Sequence, residues 1–308
     1  MKNMGSWFVF TVTAGLIALF LYNNRQVFDR LGAIEFADGV WLLGFAMLAP
    51  IFNAFKFYFA CRAYSFVFAY KECFSLVASC SLYNYILPSN AGSVIRAIYL
   101  KKVFAFPYSR YVSMTLFANL VSLLVSLGCV LLLIFWVDFK LDFPYLPVLV
   151  VLLLLCLVVG YLMLNNHGFR HMLRSKLDVL PEFDGHFLYG SVGLVASHVA
   201  FVVISALRMD VSFQIMGVDL ALHHYVLIQS ILAVALVYNL TPGNIGVAEG
   251  GIASLMLMFG VDMVTSFSAA LIDRFIIFVV LGVFGSISIG HLDKLKSNLG
   301  SRRRREPA

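Results

Sequence analysis

Charged residues are scarce in this chain. They make up 12% of its 308 residues, whereas hydrophobic residues make up 61% and the mean hydropathy is +0.92. Soluble domains carry about a quarter charged residues, so this composition excludes a soluble globular domain. It indicates an integral membrane protein whose apolar segments cross the bilayer as helices.

The chain also lacks the residue patterns of common enzymes and metal sites. It contains no G-x-S-x-G, no Walker phosphate loop and no H-E-x-x-H motif. Its five cysteines lie in or beside apolar stretches without metal-ligand spacing, so we expect neither disulfides nor a metal site. No basic soluble region with base-stacking aromatics is present, which argues against a nucleic-acid partner. We expect a protein that is not an enzyme and uses no cofactor.

Uninterrupted apolar segments of about 20 residues, the length of a transmembrane helix, occur at 4–22, 40–60, 111–137, 145–165, 190–208 and 266–290. Two further apolar regions, 73–100 and 225–260, are interrupted by "LPSNAG" and "TPGNIG". Each limb beside an interruption has roughly 9–16 residues, too few for a helix to cross the bilayer at 1.5 Å per residue. The sequence therefore predicts an all-α membrane protein with six full spans and two re-entrant helical hairpins. Two full-span hairpins would give the same topology.

The distribution of basic residues predicts the orientation. If the N-terminus lies in the cytoplasm, every strongly basic loop falls on the cytoplasmic side, as the positive-inside rule requires. The residues concerned include Arg62, Lys71, Arg96, Lys101, Lys102, Arg110, Arg170, Arg174 and Lys176. The tail "SRRRREPA" also lies inside, where four arginines suit an anionic leaflet. We expect a multi-pass protein with both termini in the cytoplasm.

The two interruptions match each other. Pro88, Asn90 and Gly92 correspond to Pro242, Asn244 and Gly246 at a constant offset of 154 residues (88 to 242), half the chain length. In the topology above, the first interruption faces the cytoplasm and the second faces outside. This pattern predicts an inverted repeat with halves 1–140 and 141–290, followed by a basic tail at 291–308. Inverted repeats with broken helices near the bilayer midplane are a common plan of transporters.

The residue types of the interruptions suit a binding site. Proline ends a helix, glycine permits close approach, and asparagine caps freed backbone groups. In hydrocarbon, broken backbone survives only inside protein or along a wet cavity. The helix amino ends near Gly92 and Gly246 could present N–H groups to an anion such as a phosphate. Tight turns in a packed bundle are the alternative. The predicted structural breaks are Pro88, Gly92, Pro242, Gly243 and Gly246.

Four charged residues fall within or beside the apolar segments, where such residues mark ion pairs or pathways. They are Arg96, Glu249, Asp273 and Arg274. On a structural interpretation, Glu249 pairs with Arg274 or Arg96. On a functional interpretation, both arginines hold a lipid phosphate through bidentate hydrogen bonds, while Glu249 orients them or exchanges a proton. The predicted substrate-binding residues are Arg96, Glu249, Arg274, Asn90 and Asn244. Lys56 is expected near the cytoplasmic boundary, with its amine reaching toward water.

Two motifs resemble one membrane protein family. "LPSNAGSVIRAIYL" is similar to a P-G-x-x-G-(acidic)-x-x-R motif, and "TPGNIGVAEG" followed by "ALIDRFIIFVVLGVFG" is similar to P-G-x-x-G-x-x-E with an arginine in the final span. Both resemble the lysylphosphatidylglycerol synthase transmembrane region, a flippase-like family. The second motif is the more specific. Ser89 and Ser93 depart from the first motif, and Asn119 stands in a segment that often carries an arginine.

This resemblance implies a lipid translocase of the bacterial inner membrane. Bifunctional relatives join such a region to a soluble lysyl-transfer domain, which we do not expect here. Stand-alone relatives imply phospholipid or polyprenyl-phosphate-linked sugar as cargo, bound as an anionic headgroup between the two broken helices. Two alternatives remain open: a non-transporting accessory of a membrane glycosyltransferase, and a membrane enzyme acting on a lipid headgroup. The sequence does not predict an oligomeric state.

Overall fold

The computed structural model describes residues 35–67, 69–87, 91–136, 185–235 and 244–303. Within these ranges the chain is helical and contains no strand. The helices are α1 (Phe36–Ala63), α2 (Tyr70–Ile86), α3 (Ala91–Phe104), α4 (Tyr108–Trp136), α5 (Gly185–Ile215), α6 (Leu222–Ala235), α7 (Val247–Met256) and α8 (Met263–Arg303), with a 3₁₀ turn at Leu257–Phe259.

Four described helices are long and apolar enough to cross a membrane. They are α1, α4, α5 and α8, and they confirm the predicted helical segments at 40–60, 111–137, 190–208 and 266–290. The other two predicted spans, 4–22 and 145–165, lie outside the described residues. Helix α8 continues to Arg303, so most of the predicted basic tail extends the last helix.

Both predicted interruptions separate pairs of short helices. Helices α2 and α3 have 17 and 14 residues, and α6 and α7 have 14 and 10. Each is shorter than the ~20 residues that cross a bilayer. Leu87 is extended after α2, and Gly246, with φ of 84°, precedes α7, so a helical break lies in each region. The re-entrant path of each pair stays a prediction.

Each half of the sequence buries an apolar cluster of its own. The first is formed mainly by α1 to α4 and centres on Cys61, Leu76 and Met114. The second is formed by α5 to α8 and centres on Met209, Tyr225 and Met256. Helix α5 packs along α1, and α8 packs along α2. These contacts join the two halves and enclose a space between them.

Close packing of α5 on α1 depends on a glycine. A Cβ atom at Gly190 would overlap the backbone nitrogen of Ala63 and lie 2.6 Å from its Cα. Gly190 is buried. Its missing side chain thus lets α5 approach the carboxyl end of α1 closely.

Candidate functional site

A polar cavity of about 330 Å³ lies between the two halves. Its walls come from α1, α2, α5, α6, α7 and α8, together with the turn that precedes α7. The polar lining residues are Asn53, Ser81, Asn84, Tyr85, Ser205, Arg208, Gln229, Asn244, Asp273 and Arg274. The apolar lining includes Pro50, Phe201, Leu232 and Ile277. The volume falls at the lower end of the range for small-molecule pockets and suits a headgroup better than a whole lipid.

Both interruptions reach this cavity. Ser81, Asn84 and Tyr85 come from the last turns of α2, just before the first interruption. Asn244 comes from the second interruption and lies in a left-handed conformation with φ of 54°. The sequence prediction that the broken helices line a cavity is met at these positions. Asn90, Pro88, Pro242 and Gly243 lie outside the described residues.

A buried ion pair joins α5 to α8 at the cavity wall. The guanidinium of Arg208 donates two hydrogen bonds to Asp273, from Nε to Oδ1 at 2.6 Å and from Nη2 to Oδ2 at 3.2 Å. The two side chains are 5% and 3% exposed, so each charge is neutralised by the other rather than by water. This bidentate arrangement gives both the guanidinium and the carboxylate charged hydrogen-bond partners.

Sequence reasoning missed Arg208. The apolar segment 190–208 ends at this residue, which predicts a position at a membrane boundary. Helix α5 instead continues to Ile215, so Arg208 lies about two turns inside the helix. An arginine followed by further helix-forming residues in "ALRMDVSFQI" was the available signal.

A second ion pair joins α7 to α8. The Nε atom of Arg274 lies 3.4 Å from Oε1 of Glu249, and its Nη1 donates to the Tyr85 hydroxyl at 3.2 Å. Glu249 is fully buried, and its other carboxylate oxygen accepts a hydrogen bond from the Gly246 N–H at 2.6 Å. Of the two partners that the sequence offered for Glu249, the structure selects Arg274.

The other predicted arginine lies elsewhere. The guanidinium of Arg96 stacks 4.7 Å from the ring centroid of Phe57, and Tyr111 of α4 and Cys80 of α2 lie near it. Arg96 does not contribute to the cavity lining. The structure therefore brings Arg274 and Asn244 to the cavity, with Glu249 behind Arg274, and it places Arg96 in the cluster of the first half. A ligand-binding role for each stays a prediction.

The amino ends of α3 and α7 are already engaged. The Gly92 N–H donates to Oδ1 of Asn84 at 2.7 Å, and the Gly246 N–H donates to Glu249. A Cβ atom at Gly92 would overlap the carbonyl oxygen of Cys80, which explains the glycine. These two N–H groups therefore have partners inside the protein, and anion binding by the remaining N–H groups of the two helix amino ends stays a prediction.

The Lys56 side chain packs against α5, and Lys56 itself is not part of the cavity lining; its place near the cytoplasmic boundary stays a prediction. Its Nζ atom lies 4.8 Å from the ring centroid of Phe201, a residue of the cavity wall in the middle of α5. The His198 ring lies beside Phe201, and its Nε2 is hydrogen-bonded to the Ser126 hydroxyl at 2.8 Å.

Comparison with known proteins gives one family. The family model described as "Lysylphosphatidylglycerol synthase TM region" matches residues 6–285. No curated protein and no solved structure matches the chain. The matched range contains both interruptions and all the charged residues described above.

Proposed function

Because the chain belongs to the lysylphosphatidylglycerol synthase transmembrane-region family, we propose that it is a translocase that moves a lipid or a lipid-linked sugar across the bilayer. The cavity between the two halves binds the polar headgroup, and the acyl or polyprenyl chains stay in the surrounding hydrocarbon. The protein moves its cargo without covalent chemistry. Its site is the bacterial inner membrane, with both termini in the cytoplasm.

The observation that carries this proposal is the polar cavity itself. Ten polar residues surround about 330 Å³ among helices of which α1, α5 and α8 are candidate membrane spans. Most of these side chains have partners inside the protein, such as Arg208 with Asp273 and Arg274 with Glu249, but Asn53 and Ser81 also line the cavity. A polar group left unpaired in an apolar environment costs about 1–3 kcal/mol, so these two side chains favour a polar ligand or water in the cavity. A headgroup crossing the bilayer needs this kind of polar environment at intermediate depth.

The lining also fits a headgroup that carries hydroxyl groups. Asn53 and Ser81 line the cavity, and neither makes a hydrogen bond in the described part of the chain. Carboxamide and hydroxyl groups both donate and accept hydrogen bonds, so they recognise glycerol or sugar hydroxyls without a net charge. This supports phosphatidylglycerol-like lipids and polyprenyl-phosphate sugars as the cargo class.

The finer architecture belongs to the same proposal. The two halves, residues 1–140 and 141–290, form an inverted repeat. The two remaining spans are supplied by residues 4–22 and 145–165. Both broken regions are re-entrant. Alternating access then arises from rocking of one half against the other around the shared cavity.

Reconstitution tests the proposal. The full chain is inserted into liposomes with fluorescent phosphatidylglycerol, phosphatidylcholine and polyprenyl-phosphate probes, and transbilayer movement is followed by chemical quenching of the outer leaflet. Faster movement of at least one probe than in protein-free liposomes supports a translocase. No acceleration for any probe, beside a working scramblase control, overturns it. Copurification with a membrane glycosyltransferase together with inert liposomes would favour the accessory role instead.

A further inference from the structure

The charges in the cavity lining and directly behind it cancel: Arg208, Asp273 and Arg274 line the cavity, and Glu249 lies buried behind Arg274. Arg208 pairs with Asp273 at 2.6 Å, and Arg274 pairs with Glu249 at 3.4 Å. Two cations and two anions leave no net charge, and each arginine is held by its own carboxylate. A ligand that carries a phosphate anion therefore meets no net attraction from this network.

Lys56 is a nearby cation without such a partner. Among the described residues, no carboxylate forms an ion pair with it. Its ammonium group lies over the ring of Phe201, 4.8 Å from the centroid. Phe201 and Asn53, the latter nearly one helical turn before Lys56, both line the cavity. The ammonium therefore contacts Phe201, a residue of the cavity lining, without being part of the lining itself.

The position of Lys56 is costly for the protein alone. Phe201 stands halfway along α5, which spans residues Gly185–Ile215, so the ammonium lies at the middle depth of a candidate membrane span. A lysine at such depth costs about 2.5–3.5 kcal/mol on insertion scales, whereas a cation–π contact returns only about 0.5–2 kcal/mol. The titratable group facing it from α5 is His198, which is hydrogen-bonded to Ser126 of α4 and brings no negative charge.

We infer that Lys56 is the residue that recognises an anionic phosphate in the cavity, an inference that rests on the translocase proposed above. The phosphate or phosphodiester group supplies the counter-ion that the protein lacks, and the flexible four-carbon stem lets the ammonium turn from Phe201 toward it. The Asn53 carboxamide donates beside it. Arg208 and Arg274 hold the helices together around the ligand and do not carry the recognition.

Lipid binding by the purified full chain tests this assignment. The probes are dioctanoyl phosphatidylglycerol, which is anionic, dioctanoyl phosphatidylcholine, which is zwitterionic, and inorganic phosphate as a competitor. Lys56→Met removes the charge and keeps the stem, and Lys56→Arg restores a cation. The matched control is Lys101→Met, because Lys101 also stacks on a ring, 4.2 Å from the centroid of Tyr108, but at an exposed position.

We expect Lys56→Met to weaken phosphatidylglycerol binding about tenfold, equivalent to about 1.4 kcal/mol, with phosphatidylcholine binding unchanged. Lys56→Arg restores most of the preference, and Lys101→Met binds like the wild type. The apparent melting temperature of Lys56→Met stays equal or rises, because an uncompensated charge has been removed. Displacement of phosphatidylglycerol by inorganic phosphate, lost in Lys56→Met, would identify the free anion as the ligand that Lys56 holds.

Other results overturn the inference. One is equal phosphatidylglycerol binding by Lys56→Met and the wild type. Another is weaker phosphatidylglycerol binding in both Lys56→Met and the control Lys101→Met. A third is weaker binding by Lys56→Met together with a lower melting temperature. The liposome assay separates this failure from failure of the proposed function. Lipid movement by the wild type with normal binding by Lys56→Met refutes only the role of Lys56. Lysine-dependent binding without any lipid movement refutes only the translocase.

Discussion

At the scale of single residues, the Arg208–Asp273 pair is the contact on which the cavity wall most depends. Removing one partner of a buried ion pair costs about 3–5 kcal/mol, because the other charge stays buried without compensation. We expect Asp273→Asn to lower the apparent melting temperature in detergent strongly. The double variant Arg208→Met, Asp273→Leu should recover most of the loss, since apolar pairs often replace buried ion pairs without penalty.

An exposed aspartate provides the control for this measurement. Asp262 precedes α8 and accepts a hydrogen bond from the Thr265 N–H at 2.9 Å, which makes it the N-cap. Asparagine caps a helix about as well as aspartate, so Asp262→Asn should leave the melting temperature nearly unchanged. If Asp273→Asn melts like Asp262→Asn, the pair contributes little and its structural role is refuted.

Glu249 combines two tasks that substitutions can separate. Its carboxylate accepts the Gly246 N–H and neutralises Arg274. Glu249→Gln keeps an acceptor for Gly246 and removes only the charge, whereas Glu249→Ala removes both and leaves a buried donor unpaired at a cost of about 1–3 kcal/mol. We expect the alanine variant to melt at a lower temperature than the glutamine variant.

The same pair of variants has a functional readout. In Glu249→Gln, Arg274 loses the carboxylate that neutralises it. Its positive charge then faces the cavity without compensation. Binding of phosphatidylglycerol should then tighten while its transbilayer movement slows, because an anionic headgroup is released less readily. Unchanged binding and movement in Glu249→Gln would show that the charge of Glu249 does not keep Arg274 from attracting the ligand.

At the scale of elements, the close approach of α5 to the end of α1 depends on the absence of a side chain at Gly190. A Cβ at Gly190 has no room beside Ala63, and forcing extra atoms into a packed contact costs about 1–3 kcal/mol. We expect Gly190→Ala to lower the melting temperature. Gly44→Ala is the matched control in α1: its Cβ would meet nothing within 4 Å, so helix propensity favours alanine by about 1 kcal/mol. Equal behaviour of both variants would contradict tight packing at Gly190.

Sequence reasoning located the helices better than it located the site. Long apolar runs fix where a chain can cross hydrocarbon, so α1, α4, α5 and α8 were predictable. Helix ends were not, because a helix continues past its apolar run when its polar residues find partners inside the protein. Arg208 did so with Asp273, a residue 65 positions further along. Asn53 and Gln229 were missed for a related reason: only tertiary packing decides which face of a helix lines the cavity.

At the scale of the whole molecule, the inverted repeat predicts from which side of the membrane each interruption is accessible. If the halves are inserted in opposite orientations, the two interruptions should be reached by water from opposite sides of the membrane. Single cysteines are placed at Ser93 and Val247, at the start of α3 and α7, in a chain whose native cysteines are replaced. A membrane-impermeant thiol reagent, applied to oriented vesicles, should label Ser93→Cys from the cytoplasmic side and Val247→Cys from the other side.

Two loops calibrate the orientation of the vesicles. Val67→Cys stands in the exposed loop between α1 and α2, beside the basic residues Arg62 and Lys71, and should react from the cytoplasm. Asp219→Cys stands in the loop between α5 and α6 and should react from outside. With both controls reacting as expected, labelling of Ser93→Cys and Val247→Cys from one and the same side would refute the inverted repeat. Added phosphatidylglycerol should protect both positions, because Asn84 and Asn244 bring both interruptions to one cavity.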